Sequence, residues 1–492
     1  MAATRKKEAR KKSTKKKAAK KKVAKKTPKK KAIQKKETQP KEIKNKTMEN
    51  KSTAKTPRNF GTGGKPGRPV FIVDGSRTPF LKARAKPGPF MASDYAVSCG
   101  RALLSRQTFD PATIDEVILG CVMPGPDEAN IARLTALRLG IGKDVPAYTV
   151  QRQCASGMQA LDSAAMEIAA KRADLVLAGG VECMSHAPVL FNNDMVTMLG
   201  ALSVAKTLPQ KLKVISRIRP RFFKPIIALL RGLTDPVVGL SMGQTAENLA
   251  YRFKITRDQM DEYAVQSHLR LANAQDEERM DEVEPMYDIK GNVYENDDGV
   301  RKDSSTDALA KLRPVFDRPF GMVTAGNSAQ ITDGAALLLL ASEKAVKEHN
   351  LPVLGQIVDS QWAGLEPAQM GLGPVHAMTP ILKRQKLSLN EIDYMEINEA
   401  FAAQVLACIA AWQDPDYCKN ELGSQSIIGE INQDILNVDG GGISLGHPVG
   451  ASGARIVLHL LDVLKRNNKQ RGMASLCIGG GQGGAMLVER DA

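Results

Sequence analysis

Short apolar runs alternate with amphipathic segments in the part of the chain that follows the N-terminal tail. The runs at 70–74, 114–119 and 174–180 are rich in Val, Ile and Leu, which is typical of buried strands. Between them, apolar residues recur at helical spacing near 131–139 and again beyond Cys154. Strands that alternate with helices predict an α/β fold with parallel strands.

This alternation of strands and helices stops near residue 190. It has resumed by residues 334–341, which we predict to be a strand. Residues 190–310 are richer in Met and in charge, and we interpret them as an inserted loop domain with helices near 245–252 and 257–273. Within it, residues 206–233 hold eight Lys and Arg and no acid, interleaved with Leu, Ile and Phe. Such a segment fits an anionic membrane surface, a partner protein, or an ordinary basic loop at the mouth of a site.

A second α/β series occupies the C-terminal part of the chain, and it echoes the first. The tripeptide Ala-Ser-Gly opens an amphipathic helix at residue 155 and again at residue 451, and a strand that ends in glycine follows each helix. We interpret the echo as duplication of one α/β unit. The chain then divides into a tail at 1–68, a first half at 69–345 that contains the insertion, and a second half at 350–492.

Charge separates the tail from the rest of the chain. Residues 1–60 hold 25 Lys and Arg against 4 Glu, whereas the remaining residues hold 45 Lys and Arg against 49 Asp and Glu. Because the tail has few apolar residues to offset chain entropy, we expect it to be disordered. Its lysine blocks would attract nucleic acid or another polyanion in a salt-dependent way, or serve only solubility.

Composition also bears on location. The tail has no apolar segment typical of a secretory signal, and its Lys-rich composition is untypical of a mitochondrial transit peptide. No apolar run approaches the length of a membrane span. Seven cysteines are scattered without a Cys-x-x-Cys pair, which fits a reducing compartment and argues against a structural zinc site. We therefore expect a cytoplasmic protein, soluble or peripherally bound to a membrane, with the mitochondrion as the alternative.

Cys154 stands on the turn between an apolar run that ends near Val150 and the first Ala-Ser-Gly helix. A helix N-terminus offers unpaired N–H groups and the positive end of the helix dipole, so we expect the pKa of this thiol to be lowered. The residue is then a candidate nucleophile, and the alternative is a small buried core cysteine.

Three polar motifs in the second half could complete a site around this thiol. Asn398 follows a short predicted strand, His447 lies in a glycine-rich loop before the second Ala-Ser-Gly helix, and Cys477 lies in the strand after that helix. If the equivalent turns of the two halves meet, Cys154 lies beside His447, with Cys477 on the following strand. That arrangement would supply a nucleophile, a base and a second acid/base thiol.

These residues lie in motifs that make the sequence resemble the thiolase family over about residues 69–490. The matching segments, in family order, are VFIVDGSRTPF at 70–80, GCVMPG at 120–125, NIARLTALRLG at 130–140, QCASGMQAL at 153–161, TAGNSAQITDGAA at 324–336, NEAFAAQ at 398–404, GHPVGASGAR at 446–455 and CIGGGQGG at 477–484. The resemblance implies an α/β thiolase fold, in which two duplicated halves form five layers in the order αβαβα.

The resemblance also implies a role for each motif residue. In thiolases the Cys154 position is the acyl-accepting nucleophile, and the His447 position deprotonates it and donates to a thioester oxygen. The Cys477 position exchanges a proton with the acetyl methyl group. The Asn398 position holds a water that completes one oxyanion hole, and the backbone N–H groups of Cys154 and Gly479 form the other. Ping-pong kinetics follow, with coenzyme A as a co-substrate, no permanently bound cofactor and no metal.

The implied reaction is reversible thiolytic cleavage of a 3-ketoacyl-CoA to acetyl-CoA and a shortened acyl-CoA, or condensation of acetyl-CoA to acetoacetyl-CoA. Ser328, Phe401 and Met158 stand at positions expected to contact the substrate. Val189 stands where biosynthetic thiolases often carry a histidine, and Ala329 stands where the family usually has a serine. The coenzyme A contacts therefore depart from the family pattern.

The insertion looks most like that of the thiolase subunit of fatty-acid oxidation complexes, in which this loop helps to dock a partner or a membrane. We therefore expect fatty-acid β-oxidation, a homodimer or tetramer, and an oxidation-complex partner subunit or an anionic membrane at 206–233. Two alternatives remain open. A ketoacyl synthase would carry a histidine in place of Asn398, and an inert thiolase body would bind polyanions through its tail.

Overall fold

The computed structural model describes residues 67–84 and 86–490. The disorder and polyanion binding predicted for the tail fall on residues 1–66, which lie outside the described residues. The strands in the described part are β1 (Val70–Arg77), β2 (Leu81–Lys82), β3 (Glu116–Gly120), β4 (Ala147–Val150), β5 (Leu175–Cys183), β6 (Val189–Leu190), β7 (Ile226–Ile227), β8 (Met286–Tyr287), β9 (Val293–Tyr294), β10 (Thr332–Ser342), β11 (Gly355–Gly364), β12 (Tyr394–Ile397), β13 (Arg471–Ile478) and β14 (Gln482–Glu489).

The α-helices of the same residues follow the predicted order. They are α1 (Ala92–Ser105), α2 (Ile131–Arg138), α3 (Ser156–Ala169), α4 (Asn193–Val204), α5 (Leu208–Ile215), α6 (Ala228–Gly232), α7 (Met242–Arg252), α8 (Arg257–Asp276), α9 (Thr306–Leu309), α10 (Glu343–Glu348), α11 (Gly373–Gln385), α12 (Ala402–Gln413), α13 (Pro415–Asn420), α14 (Gly442–Leu445) and α15 (Ser452–Arg466).

Strand order repeats between the two halves. The first half arranges its strands as β4, β3, β5, β10, β1. In the second half, Leu436 forms one parallel bridge beside β12, and β13, β14 and β11 follow. β1 and β11 then pair antiparallel at Phe71 and Ile72, which joins the two sets of strands. The same order in both halves supports duplication of one unit.

The expectation of parallel strands is only partly correct. β3 is parallel to β4 and β5, and β12 is parallel to β13, but β10 and β14 are antiparallel to both of their neighbours in the strand order. The reason lies in the connections. A tight turn joins β13 to β14, and the insertion joins β5 to β10, so neither pair is connected by the short crossover helix that makes neighbouring strands parallel.

Three helical layers enclose the two sets of strands. α1 and α2 cover the outer face of the first set, while α11 and α12 cover the outer face of the second, where α7 and α8 of the insertion also pack. α3 and α15 lie between the sets and share one hydrophobic core with strands of both halves. This is the five-layer αβαβα arrangement that the resemblance implies.

The insertion contains α4 to α9 and the short strand pairs β6–β7 and β8–β9. In its basic segment α5 and α6 are separate helices, and Pro220 and Pro225 lie between them, as their missing N–H groups require. Among the described residues, no helix has both the length and the apolar character needed to cross a membrane.

A buried cluster of charges ties the insertion to the second half. His459 of α15 contacts Glu282 Oε1 at 3.0 Å and Asp439 Oδ2 at 3.1 Å, and Arg77 donates to Glu282 at 3.1 Å. All four side chains are buried. Burial alone would lower the pKa of His459, but the neighbouring carboxylates raise it to about 10. The imidazole is therefore charged at neutral pH.

Replacing His459 with leucine is expected to destabilise the protein by about 1–3 kcal/mol near neutral pH, because Glu282 and Asp439 lose their shared cation and keep only arginine partners. Because the pKa of His459 is raised in the folded protein, its protonated imidazole stabilises the fold. This contribution is complete below pH 6.5, the usual pKa of histidine, and is lost as the pH rises towards 10. Urea unfolding as a function of pH should therefore show an alkaline loss of stability in the wild type that is smaller in the variant. Equal stability of the two proteins at neutral pH would contradict this account.

Candidate active site

The turn between β4 and α3 carries Cys154. β4 ends at Val150 and α3 begins at Ser156, so the thiol lies two residues before the helix rather than in its first turn. The Ser156 hydroxyl holds the turn, since it accepts from Arg152 N at 2.9 Å and donates to the Gln153 carbonyl oxygen at 2.7 Å. Gln153 has a φ of 46°, a strained conformation for a residue other than glycine.

The second Ala-Ser-Gly turn lies against the first. A Cβ added at Gly157 would stand 2.8 Å from the Gly450 carbonyl oxygen, and one added at Gly453 would stand 2.6 Å from the Met158 nitrogen. The N-termini of α3 and α15 therefore meet at distances that only glycine allows. This contact explains why the tripeptide recurs, and it brings the loop of His447 beside the cysteine turn.

Both ring nitrogens of His447 contact polar groups of neighbouring side chains. Nδ1 lies 2.7 Å from the Ser452 hydroxyl oxygen, and Nε2 lies 3.5 Å from the Asn398 amide nitrogen. Because an amide N–H only donates, Nε2 is the acceptor of this weak contact, and Nδ1–H donates to Ser452. The Ser452 hydroxyl donates in turn to the Pro448 carbonyl oxygen at 3.1 Å. This chain of donors selects the tautomer in which Nε2 is unprotonated.

The electrostatics of His447 agree with that tautomer. Burial, followed by the positive charge of Arg455, lowers the pKa of His447 to about 4. The imidazole is therefore neutral at pH 7, with a lone pair on Nε2 that can accept a proton.

Asn398 directs a second polar atom into the same region. Its Oδ1 is buried and has no hydrogen-bond partner in residues 67–84 and 86–490. A buried amide oxygen without a donor costs free energy unless a water or a ligand supplies one. The next residue, Glu399, anchors this loop, because its carboxylate accepts from Ser267 Oγ at 2.7 Å and from Tyr263 Oη at 3.0 Å.

Burial raises the pKa of Cys154, so the expectation of a lowered value is wrong. The thiol lies before the helix, where the helix dipole does not offset desolvation. Two backbone N–H groups, those of Gly479 and of Cys154 itself, favour the thiolate and partly offset this effect of burial on the pKa. The thiol therefore keeps its proton at neutral pH until a base removes it.

Cys477 is a second protonated thiol in the same region. It is buried in β13, and burial, followed by its electrostatic interaction with Cys154, raises the pKa of Cys477 well above the usual value. Cys477 can therefore act as a proton donor at neutral pH.

A cavity of about 230 Å³ opens onto Cys154. The second half of the chain lines it with Val449 and Gly479, and α6 of the insertion lines it with Leu229. Most of the other lining side chains are also apolar. This position of α6 fits the sequence alternative of a basic loop at the mouth of a site, because α6 belongs to residues 206–233.

The predicted substrate contacts lie elsewhere. Ser328 and Phe401 pair across one antiparallel bridge, and Phe401 packs edge-on against Phe316 with ring centroids 6.0 Å apart. Met158 is fully buried in the core between the two sets of strands. These three predicted residues do not line the cavity around Cys154 as the described residues form it. Their contact with substrate stays a prediction.

Glu182 is a further site residue that sequence reasoning missed. Its carboxylate accepts from Val122 N at 2.9 Å and from Met123 N at 3.0 Å, and both of these residues line the cavity. Burial raises the pKa of Glu182 to about 7. The signal that could have found it is a single acid in the otherwise apolar strand β5.

Together these residues define a class of site. A half-buried thiol beside two backbone N–H groups, in a fold that brings a neutral imidazole near its turn, is suited to forming a thioester at cysteine. In the described part of the chain, no group of three or more His, Cys, Asp or Glu side chains is arranged to hold a metal ion.

Comparison with known proteins assigns the family. Residues 70–344 match the model of the thiolase N-terminal domain, and residues 351–490 match that of the thiolase C-terminal domain. The chain belongs to the thiolase family, a family of acyltransferases.

Relatives and solved structures agree with this assignment. The chain is 37% identical over 424 residues to the mitochondrial trifunctional enzyme subunit beta of Bos taurus, a match that covers 86% of this chain and 88% of that protein. It is 36% identical over 426 residues to a 3-ketoacyl-CoA thiolase of Vibrio cholerae, covering 86% and 97%. Human mitochondrial 3-ketoacyl-CoA thiolase in complex with CoA has a similar structure, with a TM-score of 0.74, 37% identity, and coverage of 86% and 98%.

Proposed function

We propose that this protein is a thiolase that cleaves a 3-ketoacyl-CoA with coenzyme A to give acetyl-CoA and a shortened acyl-CoA, and that runs the reverse condensation when acetyl-CoA is abundant. The observation that carries the proposal is the pairing of the half-buried Cys154 thiol, under two backbone donors, with the loop of a neutral His447. The name of the Vibrio cholerae relative, 3-ketoacyl-CoA thiolase, supports this substrate. The process that we propose for the protein is fatty-acid β-oxidation.

Cleavage begins at Cys154. His447 Nε2 takes the thiol proton, and the thiolate attacks the 3-carbonyl carbon of the substrate. The bond between carbons 2 and 3 then breaks, the acyl group stays on Cys154 as a thioester, and the acetyl-CoA enolate leaves. Cys477 gives its proton to carbon 2 of that enolate, which completes acetyl-CoA.

The second half-reaction restores both thiols. Cys477, now a thiolate, takes the proton of incoming coenzyme A, whose sulfur attacks the acyl-cysteine. Cys154 leaves as a thiolate and recovers its proton from the His447 imidazolium. Release of one product before binding of the second substrate gives ping-pong kinetics.

Two oxyanion holes would stabilise the charge that develops on oxygen. The backbone N–H groups of Cys154 and Gly479 serve one oxygen, and His447 with a water held by Asn398 serves the other. Asn398 Oδ1 has no partner within the described residues, and it supports this role because it offers an acceptor for such a water. Loss of one donor of this kind typically costs about 3–4 kcal/mol of transition-state stabilisation.

Coenzyme A is the proposed co-substrate, with no permanently bound cofactor. A related protein has a structure in complex with CoA, and we propose that Ser328, Phe401 and Met158 contact the substrate here. Asn398 disfavours the ketoacyl synthase alternative, which needs a histidine at that position.

The direct test of this function is incubation of the full-length protein with acetoacetyl-CoA or a long-chain 3-ketoacyl-CoA, and coenzyme A. Chromatographic detection of acetyl-CoA and the shortened acyl-CoA would support the proposal. If neither substrate is cleaved, the alternative of an inert body that binds polyanions is favoured.

We propose that residues 206–233 dock on an anionic membrane. Leu208 and Leu212 of α5 are 70% and 56% exposed, and Lys211 and Lys213 stand beside them in the same helix. Exposed apolar side chains interleaved with cations suit the boundary between acyl chains and anionic headgroups. The competing occupant is a partner subunit of an oxidation complex. The bovine relative is, by its name, one subunit of a multisubunit enzyme.

Reversing two charges of α5, Lys211→Glu with Lys213→Glu, is expected to lower binding to phosphatidylserine vesicles at low salt by at least about thirtyfold. Each basic residue near an anionic surface contributes about 1 kcal/mol. Vesicle co-sedimentation measures the change, and Lys143→Glu with Lys419→Glu, two exposed lysines outside the insertion, is the matched control. If all three proteins bind equally, the membrane proposal fails and the partner subunit remains.

We also propose an oligomeric state and a cellular location. β4 ends the strand order, so one edge of it is unpaired within residues 67–84 and 86–490, and a second copy could pair there to form a homodimer, or two dimers a tetramer. Light scattering after gel filtration measures the assembly. The cytoplasm remains the proposed location, while the name of the bovine relative favours the mitochondrial alternative. Cell fractionation separates the two.

A further inference from the structure

The insertion supplies one wall of the cavity that contains Cys154. Four residues of the segment from Ala228 to Leu233 line it, and together with Met242 they face the thiol turn. Leu229 and Leu233 are half-buried there, whereas Leu230, on the opposite side of α6, is 59% exposed. α6 therefore separates the cavity from the apolar outer surface of the insertion.

Gly232 leaves a gap in the wall that α6 forms, because it has no side chain. It lines the cavity, it is exposed to solvent, and a Cβ added to it would meet no atom within 4 Å. Its backbone is helical rather than left-handed, so its conformation does not require glycine. A glycine in a helix costs about 1 kcal/mol relative to alanine. Neither backbone geometry nor packing accounts for its lack of a side chain.

Gly200 is a useful comparison for Gly232. It is also an exposed glycine within a helix of the insertion, α4, and it too has open space around it. Gly200 does not line the cavity, however. The property that distinguishes Gly232 is thus its place between the reacting thiol and the outer surface.

We infer that Gly232 is a specificity-determining residue: the acyl tail of a long-chain 3-ketoacyl-CoA leaves the Cys154 cavity beside it, and the missing side chain sets the chain lengths that the enzyme accepts. This inference rests on the proposed thiolase function. It assigns the substrate class as medium- and long-chain 3-ketoacyl-CoA rather than acetoacetyl-CoA alone.

Two features of the surroundings favour this path. The half-buried side chains of Leu229 and Leu233 offer an apolar lining on the way out, and burying each methylene of a tail against such a lining contributes about 0.8 kcal/mol. The outer surface of the same segment is also apolar, because Leu230 and Ile227 are exposed there.

The test is a comparison of kcat/KM for acetoacetyl-CoA and for 3-ketohexadecanoyl-CoA in the full-length wild type and in three variants. Gly232→Leu should lower the long-to-short ratio of kcat/KM by at least about tenfold, because a branched side chain in the gap obstructs the tail. Gly232→Ala should lower the ratio less, in proportion to its smaller size. Gly200→Leu, the matched control, should leave the ratio at the wild-type value.

Each outcome supports or overturns the inference about Gly232. A graded fall at Gly232 with no change at Gly200 supports the inference, and thermal unfolding of each variant confirms that the compared proteins are folded. A ratio in Gly232→Leu within about twofold of the wild type overturns it. A wild type that cleaves acetoacetyl-CoA alone overturns the inference but not the proposed function, whereas a wild type that cleaves neither substrate overturns both.

Discussion

Replacing Cys154 with alanine is expected to lower the kcat for thiolysis by at least about four orders of magnitude, because the acyl group then has no sulfur to bind and the reaction loses its covalent intermediate. Steady-state assays with acetoacetyl-CoA and coenzyme A measure the loss. The partner groups remain in place, so the residual rate reports what His447, Cys477 and the oxyanion donors achieve alone.

The control for this variant is Cys183→Ala. Cys183 is also a buried free cysteine, in β5, but it contacts the Phe90 carbonyl oxygen at 3.3 Å rather than the cavity. That variant should keep activity within about tenfold of the wild type, since it removes a small core side chain and no reacting atom. Activity in Cys154→Ala above about 1% of the wild type would contradict the assignment of the nucleophile.

Replacing His447 with asparagine is expected to lower kcat/KM by about 10²–10⁴-fold, the usual contribution of a general base. The raised pKa of Cys154 makes the base necessary, because few thiolates form without one at neutral pH. Ser452→Ala should give a smaller loss, since it removes only the acceptor that orients Nδ1–H. An asparagine variant with wild-type kcat/KM would show that another group deprotonates the thiol.

The pH profile provides a second test of the same residue. The pKa of His447 is lowered from 6.5 to about 4, so the imidazole stays unprotonated, and competent as a base, well below neutral pH. kcat/KM for the wild type should therefore fall only as the pH drops towards about 4, rather than near 6.5. An acidic limb with an apparent pKa near 6.5 would contradict the buried environment described for this ring.

Sequence motifs singled out the residues that the structure brings together in the candidate site, but they did not predict the pKa values of those residues. Cys154 and His447 could be found because the Ala-Ser-Gly echo marks two equivalent turns, and because each residue lies in a motif typical of the family. The motifs could not show whether the pKa of Cys154 is raised or lowered. The direction depends on how much of the thiol is buried, and burial is set by side chains far along the chain.

The fold was predictable in outline for a similar reason. Apolar periodicity identifies strands and helices locally, so most of their bounds agree with the structure to within a few residues. Strand direction and the role of the insertion are tertiary properties. The antiparallel course of β10 follows from the long detour of the chain after β5, and α6 becomes a cavity wall only because the insertion folds back over the Cys154 turn.

The central claim is that acyl groups pass through a thioester on Cys154, and trapping that thioester tests it most directly. The protein would be incubated with 3-ketohexadecanoyl-CoA without free coenzyme A, quenched in acid, digested and examined by mass spectrometry. Our account predicts an acyl adduct on the peptide that contains Cys154, removed by added coenzyme A. A protein that turns over substrate with the adduct on Cys477, or with no adduct at all, would contradict it.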